Sequence, residues 1–322
     1  MGSGEIFKKQ NTKSEIMNIK SRVRHLLMKS SSLIELSQVY RTMQYKHIYE
    51  KKGAQACAVE FYKHTHNGKI PNIDNPKTLE EKIIWLELNT DTSEWTTCTD
   101  KYAVRQWLKD RGSEAISNEL YGQWYDANDI DFDKLPNQFV IKSNNGCGTV
   151  LICKDKSTLD VKKTRKKLKG WLRVYGYVGY NQHYLRIKPC LIAEKYLDDH
   201  SANGIVLDYK CFCTYGKVLA IVVYGDRVFK NHSYKAIVYD INWNRLQESK
   251  VEGDFYVPKP KSFEKMMEEC GKLTKDFPFV RADFYDIDGQ LVFGELTFTP
   301  ETLLLSDDFN NFIGEKIDLN RV

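Results

Sequence analysis

Residues 281–300 read RADFYDIDGQLVFGELTFTP, two runs of strand-like alternation on either side of an Asp-Gly pair. That is the pattern of a β-hairpin. It places Asp283 in the first strand and Glu295 in the second. Carboxylates directly opposite each other on a ladder repel. Either they point to different faces, or something positive lies between them. A two-residue loop, Asp288-Gly289, pairs Ile287 with Gln290 and sets Asp283 against Gly294, so that Glu295 points away. A three-residue loop, Asp288-Gly289-Gln290, pairs Ile287 with Leu291 and sets Asp283 against Glu295 on one face. Thr297 shares the face of Glu295, and Arg281 that of Asp283. Register alone does not choose between the loops.

The rest of the chain narrows the choice. Its 322 residues are enough for one large or two ordinary domains, and 42% hydrophobic with 28% charged residues reads as globular. No run of 18 apolar residues is present, so no membrane span is expected. The opening MGSGEIF reads in part as an artificial leader, with Met17 an alternative start. The eight cysteines form no C-x-x-C, so the expectation is reduced thiols in a cytoplasmic protein. The Asn231-His232-Ser233 glycosylation triplet carries little weight there.

The net charge of +5 is concentrated between Lys8 and Lys52, a stretch with helical periodicity at Ile19, Val23, Leu26, Leu27, Leu33, Leu36 and Val39. Such a segment is either a packed extension with a solvated basic face or a peripheral contact with an anionic membrane. No nucleic-acid-binding motif accompanies the charge, so no nucleic acid is expected.

Thr78-Leu79-Glu80-Glu81 has the form of a capping box. A second helix beginning near Asp100 puts Lys101 and Arg105 on one face, ordinarily a solvated one. Further on, Phe139-Val140-Ile141 leads to Lys142, then to the polar loop Ser143-Asn144-Asn145-Gly146-Cys147-Gly148-Thr149, then to a second strand run, Val150–Cys153. A glycine loop between antiparallel strands either turns a plain hairpin or turns its N–H groups toward a phosphate chain. It is neither a P-loop nor a Rossmann turn, because no helix follows it directly. The run of lysines within residues 159–175 reads as a solvated helix face. Leu191-Ile192-Ala193 is a strand that leaves through Glu194-Lys195-Tyr196-Leu197, whose open backbone matches a purine edge, with Asp198 and Asp199 placed for ribose hydroxyls. In Asp208-Tyr209-Lys210, Lys210 shares a face with Asp208, either as a simple ion pair or as a lysine aimed at a transferring phosphoryl group.

In this order the motifs resemble those of ATP-grasp enzymes. They are most similar to the TupA-like branch, named after teichuronopeptide biosynthesis: F-V-I-K-S-N-N-G-C-G, L-I-A-E-K-Y-L, D-Y-K-C-F-C and R-A-D-F-Y with G-E-L-T-F-T-P, preceded by NPKTLEEKIIWL and DKYAVRQWL. The resemblance spans roughly residues 65 to 300. It implies an α+β, ATP-grasp fold in which two α+β subdomains with antiparallel sheets grip ATP, preceded by a helical N-terminal region. The expected divisions are a basic helical extension (1–60), a helical N-terminal subdomain (61–135), a nucleotide-lid subdomain (136–200) and a catalytic, metal-binding subdomain (201–322).

By position, the resemblance implies that Lys142 holds ATP phosphates under the Ser143–Thr149 loop, including Asn144, Gly146, Cys147 and Gly148. It makes Glu194, Lys195, Tyr196 and Leu197 the adenine hinge, puts Asp199 near the ribose, and brings Lys101 and Arg105 to the nucleotide. Lys210 and Arg281 become catalytic, and Asp283, Glu295 and Thr297 ligands of Mg2+. Thr297 stands where the wider superfamily has Asn; Asn145, Cys147 and Glu301-Thr302-Leu303 depart from the branch's usual residues at the lid and the acceptor side.

The implied activity is an ATP-dependent carboxylate–amine ligase acting through an acyl phosphate. The implied partners are a carboxylate-bearing sugar or glycan of a bacterial surface polysaccharide, such as capsule or O-antigen, and an amine or amino acid. The alternatives are a sugar kinase using the same ATP site, or a non-catalytic ATP-binding partner of polysaccharide assembly. In this company the hairpin is expected to have an odd-numbered loop, so that both acids face one cleft and share magnesium.

Overall fold

A computed structural model describes residues 31–146, 148–173, 181–198, 206–228, 233–246, 257–301 and 306–322. Cys147, Asp199 and the periodic positions before Ser31 lie outside them. The chain enters as helix α1, Ser31–Thr65, broken at Gly53 where φ is 84°. Helices α2 (Leu79–Asn89), α3 (Ser93–Thr99) and α4 (Val104–Asp110) follow. At the head of α2 the expected capping box is present: Thr78 Oγ1 accepts from the Glu81 N–H at 3.2 Å, and Glu81 Oε2 accepts from the Thr78 N–H at 3.2 Å. Leu79, Ile83, Ile84 and Leu86 of α2 are buried.

The first sheet has strand order β1-β4-β2-β3, with β1 Leu120–Trp124, β2 Phe139–Ser143, β3 Val150–Cys153 and β4 Leu191–Lys195. Its ladders are all antiparallel. Because β1 pairs with β4, this sheet begins upstream of the boundary expected at residue 136. Phe139, Ile141, Leu191 and Ala193 turn one face onto a core closed by helix α5, Val161–Trp171. Thr164, Leu168 and Trp171 point inward from α5, while its lysines at 162, 163, 166 and 169 are exposed, as a solvated basic face. The short helix α6, Gln182–Leu185, precedes β4.

The second sheet has order β10-β9-β5-β6-β7-β8, again antiparallel throughout. Its strands are β5 Asp208–Thr214, β6 Lys217–Val228, β7 Ser233–Tyr239, β8 Arg245–Leu246, β9 Val280–Ile287 and β10 Gln290–Thr297. Helix α7, Phe263–Thr274, and the C-terminal helix α8, Asp307–Lys316, enclose the larger core together with α2, α3 and α4. Among the described residues no helix is long and apolar enough to cross a membrane.

The hairpin departs from expectation in its turn and agrees in its outcome. Ile287 pairs with Gln290, so the loop has two residues, not an odd number. Asp288 and Gly289 have φ of 53° and 90°, the doubly positive geometry that suits a tight hairpin. Yet Glu295 pairs with Asp283, because the register slips by one between Phe293 and Glu295. Gly294 is the extra residue of a β-bulge. A Cβ there would lie 2.9 Å from the Asp283 carbonyl oxygen, so the bulge needs glycine.

Candidate active site

A cleft opens between the two sheets, lined by Lys142 and Glu194 of the first, Leu197 just past β4, and Tyr285, Phe293 and Gly294 of the second, with Lys101 and Arg105 between them. Strand alternation builds the first wall. Val140 and Lys142 on β2, Ile192 and Glu194 on β4, and Val150 and Ile152 on β3 share the face opposite the core. Ile152 is 48% exposed and Val150 37%, an apolar strip beside a lysine.

Glu194 is buried in that wall and accepts from Lys142 Nζ at 2.8 Å and Arg105 Nη2 at 2.7 Å. Burial by itself would raise its pKa; the Lys142 and Arg105 charges outweigh that and hold it below the ordinary carboxylate value. The hinge backbone is less open than its sequence implies. The Lys195 N–H donates to Glu119 O at 3.0 Å, and the Lys195 carbonyl accepts from the Asn118 amide at 2.9 Å. Tyr196 lies under the Lys154 ammonium, which is 5.3 Å from its ring centroid.

In the glycine loop, Ser143 and Thr149 hydroxyls bond at 2.5 Å. Asn144 is a strut: its side chain accepts from the Cys190 N–H at 2.8 Å and donates to Lys188 O at 3.1 Å. Gly148 sits at φ 75°. The Gly146 carbonyl accepts from Lys101 Nζ at 3.2 Å. Lys101 is not on the helix expected for it, since α4 starts at Val104, but in the turn before it. From there its ammonium also meets Glu295 Oε2 at 3.3 Å.

The second wall answers the question the hairpin posed: protein cations stand between the two acids. Arg281 donates from Nε to Asp283 Oδ1 and from Nη2 to Asp283 Oδ2, both at 2.7 Å. The same Nη2 reaches Glu295 Oε1 at 3.2 Å and Thr297 Oγ1 at 3.1 Å. Thr297 in turn donates to Glu295 Oε1 at 3.2 Å. Lys210, cross-strand neighbour of Asp283, bonds to Asp283 Oδ2 and to Asp208 Oδ2, the latter at 2.9 Å. The Asp208–Lys210 pair is therefore part of a buried network.

The two acids are tuned apart. Burial raises the Asp283 carboxyl above its ordinary value against the pull of Arg281 and Lys210. Glu295 is 34% exposed at its side chain; what burial it has would raise it, but Lys101 and Arg281 hold it far below the ordinary value. Arg281 is raised too: burial lowers it less than Asp283 and Glu295 raise it.

A family profile described as TupA-like ATPgrasp matches residues 81–318. The chain belongs to the TupA-like ATP-grasp family. Its two antiparallel sheets, facing each other across the cleft, make up the ATP-grasp fold. No curated protein matches the TupA-like chain. Among solved structures, D-alanine–D-alanine ligase from Bacillus anthracis is similar with a TM-score of 0.43 and 17% identity over 69% of this chain and 65% of that one. The same enzyme complexed with ATP gives 0.47 and 17% over 77% and 75%. L-amino acid ligase from Bacillus licheniformis gives 0.41 and 15% over 66% of this chain and 44% of that one. The TupA-like chain thus spans under two thirds of the length of the first and last of these.

The structure brings Lys101, Arg105, Lys142, Gly146, Glu194, Leu197, Lys210, Arg281, Asp283, Glu295 and Thr297 to the cleft or its second wall. The apolar strip of Val140, Ile152 and Ile192 escaped the sequence reading, although alternation in each strand with Lys142 or Glu194 carries the signal.

Proposed function

We propose that the protein is an ATP-dependent ligase that joins a carboxylate to an amine through an acyl phosphate. One observation carries the reading: beside a cleft lined by Lys142, Glu194 and Tyr285, the Lys101 ammonium bridges the glycine loop at the Gly146 carbonyl to Glu295 of the paired carboxylates. In this reading the purine lies on Val140, Ile152 and Ile192, along the Glu194–Leu197 hinge with Asp199 near the ribose. Lys142, Lys101 and Arg105 bind phosphates under the loop of Ser143 to Thr149.

Asp283 and Glu295 would hold magnesium, with Thr297 beside them. Their hard oxygens suit it, and among the described residues no cluster of three His, Cys, Asp or Glu makes a complete cage. Magnesium takes one or two carboxylates plus substrate phosphates. Bound there, magnesium would neutralise phosphate charge. Glu295, touched by Lys101 at 3.3 Å and 34% exposed at its side chain against 2% for Asp283, is the more accessible donor.

A substrate carboxylate oxygen attacks the γ-phosphorus, the bond to the β–γ bridging oxygen breaks, and ADP leaves. The amine nitrogen then attacks the acyl carbon, the bond to the phosphate oxygen breaks, phosphate leaves, and the nitrogen loses a proton. Transfer of this kind needs positioning and fixed positive charge more than a nucleophile. Arg281 and Lys210, fixed by Asp283 and Asp208, are placed to supply that charge.

The proposed substrates are a uronic acid or other acidic group of a bacterial surface polysaccharide and an amino acid or small amine; these rest on family membership. The proposed site of action is the cytoplasm, with the basic N-terminal segment on the inner membrane face. The test is an ADP-release screen of uronic-acid carboxylates against amino acids, with mass analysis. The expected product is the condensed amide, with phosphate released in step with ADP. ADP formation with a phosphorylated glycan and no free phosphate would replace the ligase by a kinase.

A further inference from the structure

Lys210 has two carboxylate neighbours, and they differ in what else they do. Asp283 is already shared: Arg281 holds both its oxygens, and on the reading above it also faces magnesium. Asp208 lies on the same strand face as Lys210, two residues away, with Oδ2 at 2.9 Å from Nζ. The Tyr224 ring, paired across the ladder with Asp208, closes a third side with its centroid 5.6 Å from Nζ. Asp208 and Lys210 are both buried. Counting Asp208, Asp283 and Glu295 against Lys101, Lys210 and Arg281, the cluster holds three acids and three cations and is balanced without any ligand. Without Asp208 the balance fails by one.

We infer that Asp208 is a positioning residue for the ligase reaction: it keeps the Lys210 ammonium aimed into the cleft when Asp283 turns its oxygens to the substrate side. This rests on the function proposed above. Asp283 cannot both release an oxygen to a metal–phosphate and remain the sole anchor of Lys210. A buried ammonium that loses one partner needs another, since an unpaired buried charge is strongly unfavourable. Asp208 supplies that anchor from the same strand.

Asp208→Asn and Asp208→Glu test it, each checked for folding by thermal unfolding. In Asp208→Asn, kcat for ADP release is expected to fall by about tenfold or more while KM for ATP stays within about threefold, the pattern of an interaction that matters during transfer. Asp208→Glu is expected to recover part of that loss. Equal losses in kcat/KM and ATP binding, or no rescue by Glu in a folded protein, would overturn the role.

A second measurement does not depend on turnover. Labelling of Lys210 by an amine-reactive ester, read by mass spectrometry against other lysines, is expected to speed up several-fold in Asp208→Asn. Unchanged labelling refutes the inference whether or not the enzyme is a ligase; absence of ADP release in the wild type with accelerated labelling in the variant refutes the ligase and leaves the anchor standing.

Discussion

Asp283 and Glu295 face each other across β9 and β10 although the turn between the strands holds two residues, because Gly294 is bulged out of register. The bulge is therefore as much a part of the site as the acids. Deleting Gly294 should leave a regular ladder in which Glu295 still pairs with Asp283, so any loss of nucleotide-dependent activity in that variant would come from loss of the local bend and not from the register. Gly294→Ala, whose Cβ meets the Asp283 backbone, should destabilise by about 1–3 kcal/mol in urea unfolding. A stable Gly294→Ala protein with full activity would show that the close approach is not needed.

Neutralising the two acids should have unequal costs. Asp283 is 2% exposed and holds two cations, so Asp283→Asn leaves buried Arg281 and Lys210 short of a partner. A loss of about 3–5 kcal/mol is expected in EDTA. Glu295 is 34% exposed, and Glu295→Gln should cost about 1 kcal/mol or less. Repulsion between the acids alone would predict no loss, or a gain, for both; the cations of the second wall reverse that expectation.

Acid should loosen the cleft in a definite pH window. The folded-state pKa values of Glu194 and Glu295 lie below the ordinary glutamate value, so their stabilisation is complete above that value and is lost as pH falls through the depressed values. Asp283, raised by burial, runs the other way and softens the loss. Thermal unfolding of Glu194→Gln should therefore lie below the wild type at neutral pH and converge with it on acidification. A gap that does not narrow at all on acidification would assign the effect to packing instead of charge.

The apolar strip can be probed without disturbing the core. Because Ile152 is 48% exposed, Ile152→Lys should change stability by no more than about 0.5 kcal/mol. It should weaken Mg·ATP binding, measured by calorimetry, if the purine lies there. Saturating Mg·ATP should also raise the wild-type melting temperature, by mass action on the folded state. Undiminished affinity in Ile152→Lys moves the base elsewhere in the cleft.

Much of this arrangement was legible in local sequence. The capping box at Thr78, the hairpin around Asp288-Gly289 and the strand–loop–strand at Lys142 follow from short-range rules. The bulge at Gly294 did not, because period-two counting assumes an unbroken ladder and Gly294 breaks it where the Asp283 backbone comes close. Arg105 and Lys101 looked like a solvated pair; their partners, Glu194 and Glu295, lie 89 and 194 residues further along, and no local pattern records contacts of that reach. The commitment of the Lys195 backbone to Asn118 and Glu119 was hidden for the same reason.

The single ammonium of Lys101 touches the Gly146 carbonyl on one side of the cleft and the Glu295 carboxylate on the other. It works as a clasp. If the jaws part by more than a few ångströms, the lysine must let go of one of them, and the side it keeps decides which jaw moves with the turn before α4. Any opening between the two sheets is thereby coupled to a rotamer choice at one side chain, which leaves either the Gly146 carbonyl or the Glu295 carboxylate without that ammonium.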